Sequence, residues 1–163
     1  MSWFRRQRLT ADEVAEIAEI LYRGCVEDEM ETLEPSYFTI PDALCSAYVA
    51  KAKLYRQATL LYSLLGKSRT DPSYEPLVRA CEARIFPAKP SEGLQKLGAI
   101  KDAMCEIADL ADPANEKRLS WSAKWLAGIG YHNPNVANVA LFGIAWTDFY
   151  IATRRIVERT QAQ

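Results

Sequence analysis

The sequence predicts an all-α fold: a single-domain bundle of about six antiparallel helices with a very apolar C-terminal helix at its centre. Three observations carry this expectation. Apolar residues recur at helical spacing in one segment after another. Cap and proline signatures punctuate the chain between those segments. No stretch sustains the period-two alternation of a half-buried strand. The helical segments together span about three-quarters of the chain, against roughly a third of residues in an average domain. At 163 residues, 49% hydrophobic and 25% charged, the chain suits one domain that buries about 70% of its unfolded surface without disulfides or metal.

The first helix starts at Thr10 and Glu13, spaced as a capping box in which each side chain meets the other's backbone N–H. Leu9 and Val14 take the positions of a hydrophobic staple, and Val14, Ile17, Ala18, Leu21 and Cys25 make one apolar face. Pro35 closes the segment. A second helix is expected from about Asp42 to Leu65, capped by Gly66, with Tyr48, Tyr55 and Tyr62 one heptad apart. Asp71-Pro72 announces a third that reaches Phe86, although Pro76 blurs its start. Ser91 caps a fourth, reaching about Ala111, with Leu94, Leu97, Met104, Cys105 and Ala108 expected inside.

Asp112-Pro113 opens a fifth helix that ends near Gly128 or Gly130, and Asn133-Pro134 opens a sixth that ends near Thr160. Between Val136 and Ala152 only Asn138, Gly143, Thr147 and Asp148 are not apolar. That is short for a membrane span, and Asp148 is costly at mid-bilayer, so the segment reads as a core helix wrapped by the others. Short connections make sequence neighbours pack antiparallel. Residues 10–163 therefore form the helical domain, preceded by a basic aromatic arm over 1–9.

Cys25, Cys45, Cys81 and Cys105 contain no close pair, and the single histidine lies far from them, so they read as free thiols packed on buried faces. No apolar leader follows the basic N-terminus, and a cytoplasmic location is expected.

Charge is blocked along the chain. The net charge is −1, yet residues 10–34 hold nine acids against one base, between flanks that each carry a net +3. The simplest packing sets the acidic first helix against the basic second. Two features point outward. Trp3, Phe4, Arg5, Arg6 and Arg8 suit an arm that anchors on a protein or on a membrane surface. Glu27, Asp28, Glu29, Glu31 and Glu34 form an acidic knob for a basic partner. Arg154, Arg155 and Arg159 make a second basic face, which also suits a helix C-terminus. A near-neutral chain is not expected to bind nucleic acid.

The sequence points away from an enzyme. Di-iron and haem bundles need histidines this chain lacks. Gly93–Gly98 has phosphate-loop spacing without its Lys-Ser/Thr, and Gly128-Ile-Gly130 lacks the third glycine of a dinucleotide fingerprint. The carboxylate sets Glu13/Glu16/Glu19 and Glu106/Asp109 read as solvated surface, so no metal or cofactor is expected. The function anticipated is a non-enzymatic interaction, adaptor or regulatory subunit that meets a protein partner or itself. The alternative is a small-molecule module whose apolar pocket draws on Tyr48, Tyr55, Tyr62, Trp121, Trp125, Tyr131, His132 and Trp146. Membrane-surface association through the arm is the third.

Overall fold

Among the described residues six α-helices form in the order read from the sequence: α1 (Ala11–Tyr22), α2 (Cys45–Ser68), α3 (Glu75–Ile85), α4 (Pro90–Leu110), α5 (Lys117–Ala127) and α6 (Val136–Thr160). The computed structural model describes residues 9–27, 38–86, 88–110 and 117–160. Trp3, Phe4, Arg5, Arg6, Arg8, Asp28, Glu29, Glu31, Glu34, Pro35 and Asp112-Pro113 lie outside the described residues. No strand occurs among those described.

Local chemistry sets the ends. The Thr10–Glu13 capping box forms, with Thr10 N donating to Glu13 Oε2 at 2.7 Å and Glu13 N to Thr10 Oγ1 at 3.3 Å. The Thr10 N–H, with the Thr10 hydroxyl donating to the same oxygen, holds the Glu13 carboxyl below its usual range. α1 then widens into one π-helical turn, Arg23–Glu27, that buries Cys25 and Val26. The fully buried Arg56 meets this turn, donating from Nη1 to Val26 O at 3.4 Å. α5 ends in a Schellman motif: Gly130 takes φ +93°, while Gly130 N and Tyr131 N donate to Ala127 O and Leu126 O.

Four boundaries differ from the sequence reading, each for a local reason. Gly66 does not cap α2, because its φ is not positive, and the helix continues to Ser68. The hydroxyls of Ser68 and Thr70 satisfy carbonyls of that last turn. Pro72–Tyr74 is a 3₁₀ turn capped by Asp71, so α3 proper starts at Glu75 and Pro76 falls in its first turn, where no N–H is needed. α4 starts at Pro90, one residue before Ser91. Asn135 rather than Asn133 caps α6, accepting from Asn138 N at 2.7 Å.

Packing yields a ring of four helices with a two-helix layer on its flank. α2 packs against α4 and α6, and α5 closes the ring between them. α1 and α3 pack on each other and, through α3 and the π turn, on the opposite side of α2. α2 and α6 run the same way, since Tyr55 meets Trp146 and Tyr62 meets Tyr150. α5 runs antiparallel to both, with Trp121 on Tyr55 and Trp125 on Tyr48. The segment before α2 is clamped to α6 by Asn138, whose side chain accepts from Thr39 N at 2.7 Å and donates to Thr39 O at 3.0 Å.

Some expected burial is redistributed. The acidic α1 packs on α3, not chiefly on α2, and its ion pair is Arg84 with Glu19. α4 buries the Ile100, Ala103, Ile107 and Leu110 stripe, leaving Leu94, Leu97, Cys105 and Ala108 exposed and Met104 half-buried. The first turns of α4 are exposed, so its helical period is satisfied by the isoleucine row instead. Cys25 and Cys81 are buried as expected, whereas Cys45 and Cys105 are exposed. α6 is long and apolar enough to cross a membrane by length and composition alone. It buries Val139, Phe142, Trp146, Phe149, Tyr150 and Val157, but an outer row stays exposed, so the other helices do not wrap it completely.

Two glycines test the ring closure with opposite signs. A Cβ at Gly143 would lie 2.6 Å from Ser122 Oγ and 3.0 Å from Arg118 Cγ. Gly143→Ala should therefore cost about 1–3 kcal/mol by overpacking α5 on α6. At Gly98, inside α4, a Cβ meets nothing within 4 Å, and Gly98→Ala should stabilise by about 0.5–1 kcal/mol. Urea unfolding of the two variants beside the parent protein measures both.

Candidate functional site

The heptad-spaced tyrosines of α2 do not share one environment. Tyr48 and Tyr55 face α5, where Trp121 and Trp125 stand one turn apart; Phe142 and Trp146 arrive from α6 and Phe38 from the clamped segment. Ring centroids in this group lie 4.9 Å (Trp125–Phe142) to 6.4 Å (Trp121–Trp146) apart. At those separations the rings fill one another's space as aromatic pairs. The expected convergence of Tyr48, Tyr55, Trp121, Trp125 and Trp146 is real, and it builds core.

One carboxylate ties this core together. Tyr55 Oη donates to Glu106 Oε2 at 2.6 Å, and Trp121 Nε1 donates to the same oxygen at 3.1 Å. Glu106 thus joins α2, α4 and α5 rather than presenting itself with Asp109, which pairs with Lys117 at 3.8 Å. Across the ring, Lys51 Nζ donates to Trp125 O at 3.0 Å and lies 4.6 Å from the Trp125 ring centroid. Burial pulls the Lys51 ammonium below its usual range, with Glu106 acting in the opposite sense. Tyr48 Oη, Trp125 Nε1 and Trp146 Nε1 are buried without a hydrogen-bond partner among the described residues.

Tyr62 lies two turns beyond Tyr55, past the reach of the eleven-residue α5. Its ring meets Tyr150 at 6.2 Å instead. Here, among the described residues, α2, α4 and α6 leave a groove of about 550 Å³ between them. Its apolar lining includes Leu65, Met104, Ala108 and Val157, with the tyrosine pair at one side. Four bases line it (Lys67, Arg69, Lys101 and Arg154) against one acid, Glu158. Glu158 is engaged by Arg154 Nε at 3.0 Å. Lys67, Arg69 and Lys101 make no ion pair among the described residues. Burial pushes the Tyr150 hydroxyl above its ordinary range, with Tyr62 adding to the effect and Arg154 opposing it.

Of the remaining candidates, Tyr131 is half-buried against the core and His132 is exposed on the α5–α6 turn, away from both the ring cluster and the groove lining. Glu27 is exposed at the end of the π turn. Among the described residues no three His, Cys, Asp or Glu side chains are grouped to hold a metal ion. The sequence marked Tyr62, Met104, Cys105, Ala108 and Arg154 singly but not as one site, because three helices distant along the chain bring them together. No family model, curated protein or solved structure matches the chain.

Burial of the tyrosines has a pH consequence. It raises Tyr48 from 10.0 to about 12, opposed by Arg56, and raises Tyr55 too, where the bond to Glu106 adds to it. Between pH 10 and about 12 the folded chain keeps protons that the unfolded chain releases, so stability falls as pH rises. Tyrosinate absorbance should therefore appear together with loss of helical circular dichroism. Tyr48→Phe should make that alkaline loss shallower and cost little at neutral pH, because its hydroxyl is unpaired. Normal tyrosine titration in an intact fold would contradict this account.

Proposed function

We propose that this protein is a non-catalytic binding module whose groove between α2, α4 and α6 takes a small organic anion with an apolar chain. The observation that carries the reading is the pairing of an apolar floor with Lys67, Arg69 and Lys101, three cations with no carboxylate partner among the described residues. An apolar cleft of this size with a few convergent polar groups is the usual form of a ligand site. The apolar lining supplies area and the cations supply orientation, since anions draw on charge-assisted hydrogen bonds. Tyr62 and Tyr150 offer hydroxyls at the groove side as further donors. No nucleophile and base stand together there, which is why binding rather than turnover is proposed.

Cys105 lines the groove and is exposed, while the other exposed thiol, Cys45, sits at the far end of α2. That pair provides an internal control. Decanoate should slow alkylation of Cys105 by iodoacetamide and leave Cys45 unaffected. Decanol, with the same chain and no charge, should protect at least about tenfold less well, in keeping with roughly 1.5–3 kcal/mol for hydrogen bonds to a charged group. Lys101→Glu combined with Arg69→Glu should abolish the difference between the two probes. Equal protection of both thiols, or of Cys105 by decanol and decanoate alike, would sink the proposal.

A further inference from the structure

Among the described residues nothing packs on the outer row of α6, which is also outside the groove lining. Ala137, Leu141, Ile144, Asp148, Ile151 and Arg155 follow one another at alternating spacings of four and three, the repeat of a coiled-coil seam. All six are exposed, with Ile144 at 47% and Ile151 at 40%. An exposed, mostly apolar row of this kind marks a contact surface. Asp148 and Arg155 break it, and neither makes an ion pair among the described residues.

Those two charges identify the occupant. We infer that the α6 stripe is the self-association surface of this protein, joining two copies as an antiparallel two-fold pair. In an isologous contact each patch must be complementary to itself. A parallel pairing in register stacks Asp148 on Asp148 and Arg155 on Arg155, which repel. An antiparallel pairing with its axis beside Ile151 packs the two Ile151 side chains together at the centre. It also sets each Asp148 opposite the partner's Arg155, twice over by symmetry, and keeps the two Asp148 side chains about two turns apart. A bilayer offers no counterpart for Asp148 in the middle of the stripe.

Sedimentation velocity across a dilution series tests this. The parent protein should shift from dimer to monomer on dilution. Asp148→Arg and Arg155→Asp, taken singly, should each weaken association at least about tenfold, because like charges then face each other across the contact. The double reversal should recover affinity to within about threefold of the parent, since additive surface effects cannot produce such a rescue. Ile151→Glu should abolish the dimer in every background. All three substituted positions are exposed, and unchanged circular dichroism confirms that the fold persists. A parent protein that is monomeric throughout overturns the inference, as does a double reversal no tighter than the single ones. Co-flotation of a monomer with phosphatidylcholine–phosphatidylglycerol vesicles, lost in Ile151→Glu, would assign the stripe to membrane instead and equally overturn it.

Discussion

The architecture hangs on a half-buried carboxylate-centred junction. Glu106, from α4, accepts from the Tyr55 hydroxyl of α2 and from the Trp121 indole of α5. Three helices whose apolar faces would otherwise slide on one another are thereby fixed in register. The rings that surround the junction are large and nearly inaccessible, Trp125 and Trp146 at 1% exposure. Burial of that area supplies the driving force, and the bonds to Glu106 select one arrangement. The unpaired donors of Tyr48, Trp125 and Trp146 show the cost of so aromatic a core, which offers few acceptors.

A length mismatch turns this core into a candidate site. α2, α4 and α6 have 24, 21 and 25 residues, whereas α5 has 11. Among the described residues the ring is closed where α5 lies, and the groove opens beyond it. Sequence position then decides what the opening contains. α2 contributes its last turn with Lys67, α4 contributes Lys101, and α6 contributes Arg154 held by Glu158. The chain is near neutral as a whole, yet the groove lining is cationic, while on α1 Glu19 meets Arg84 of α3 and Asp12, Glu13 and Glu16 are exposed.

What could be read from the sequence was local. The Thr10–Glu13 box, the Val14–Cys25 face of α1 and the role of Gly130 all depend on residues within a few turns of one another. α4 carries two rows that satisfy the same helical period, and only the neighbouring helices decide that Ile100, Ala103 and Ile107 go inside. Gly66 would cap a helix that stopped there, but the hydroxyls of Ser68 and Thr70 make a later end satisfactory. Blocked charge suggested that α1 and α2 pair, a statement about composition, and tertiary packing gave α1 to α3. The groove was invisible for the same reason, since its lining joins residues far apart in sequence.

The coupling between Tyr55 and Glu106 tests the central claim most directly. A double-mutant cycle of Tyr55→Phe and Glu106→Ala, read by urea unfolding, isolates that pair. If the junction fixes the register of α2 and α4, the two losses are not additive, and the coupling is about 1–3 kcal/mol. Losses that add to within about 0.3 kcal/mol would show that the aromatic core orders itself without the carboxylate and would contradict the account.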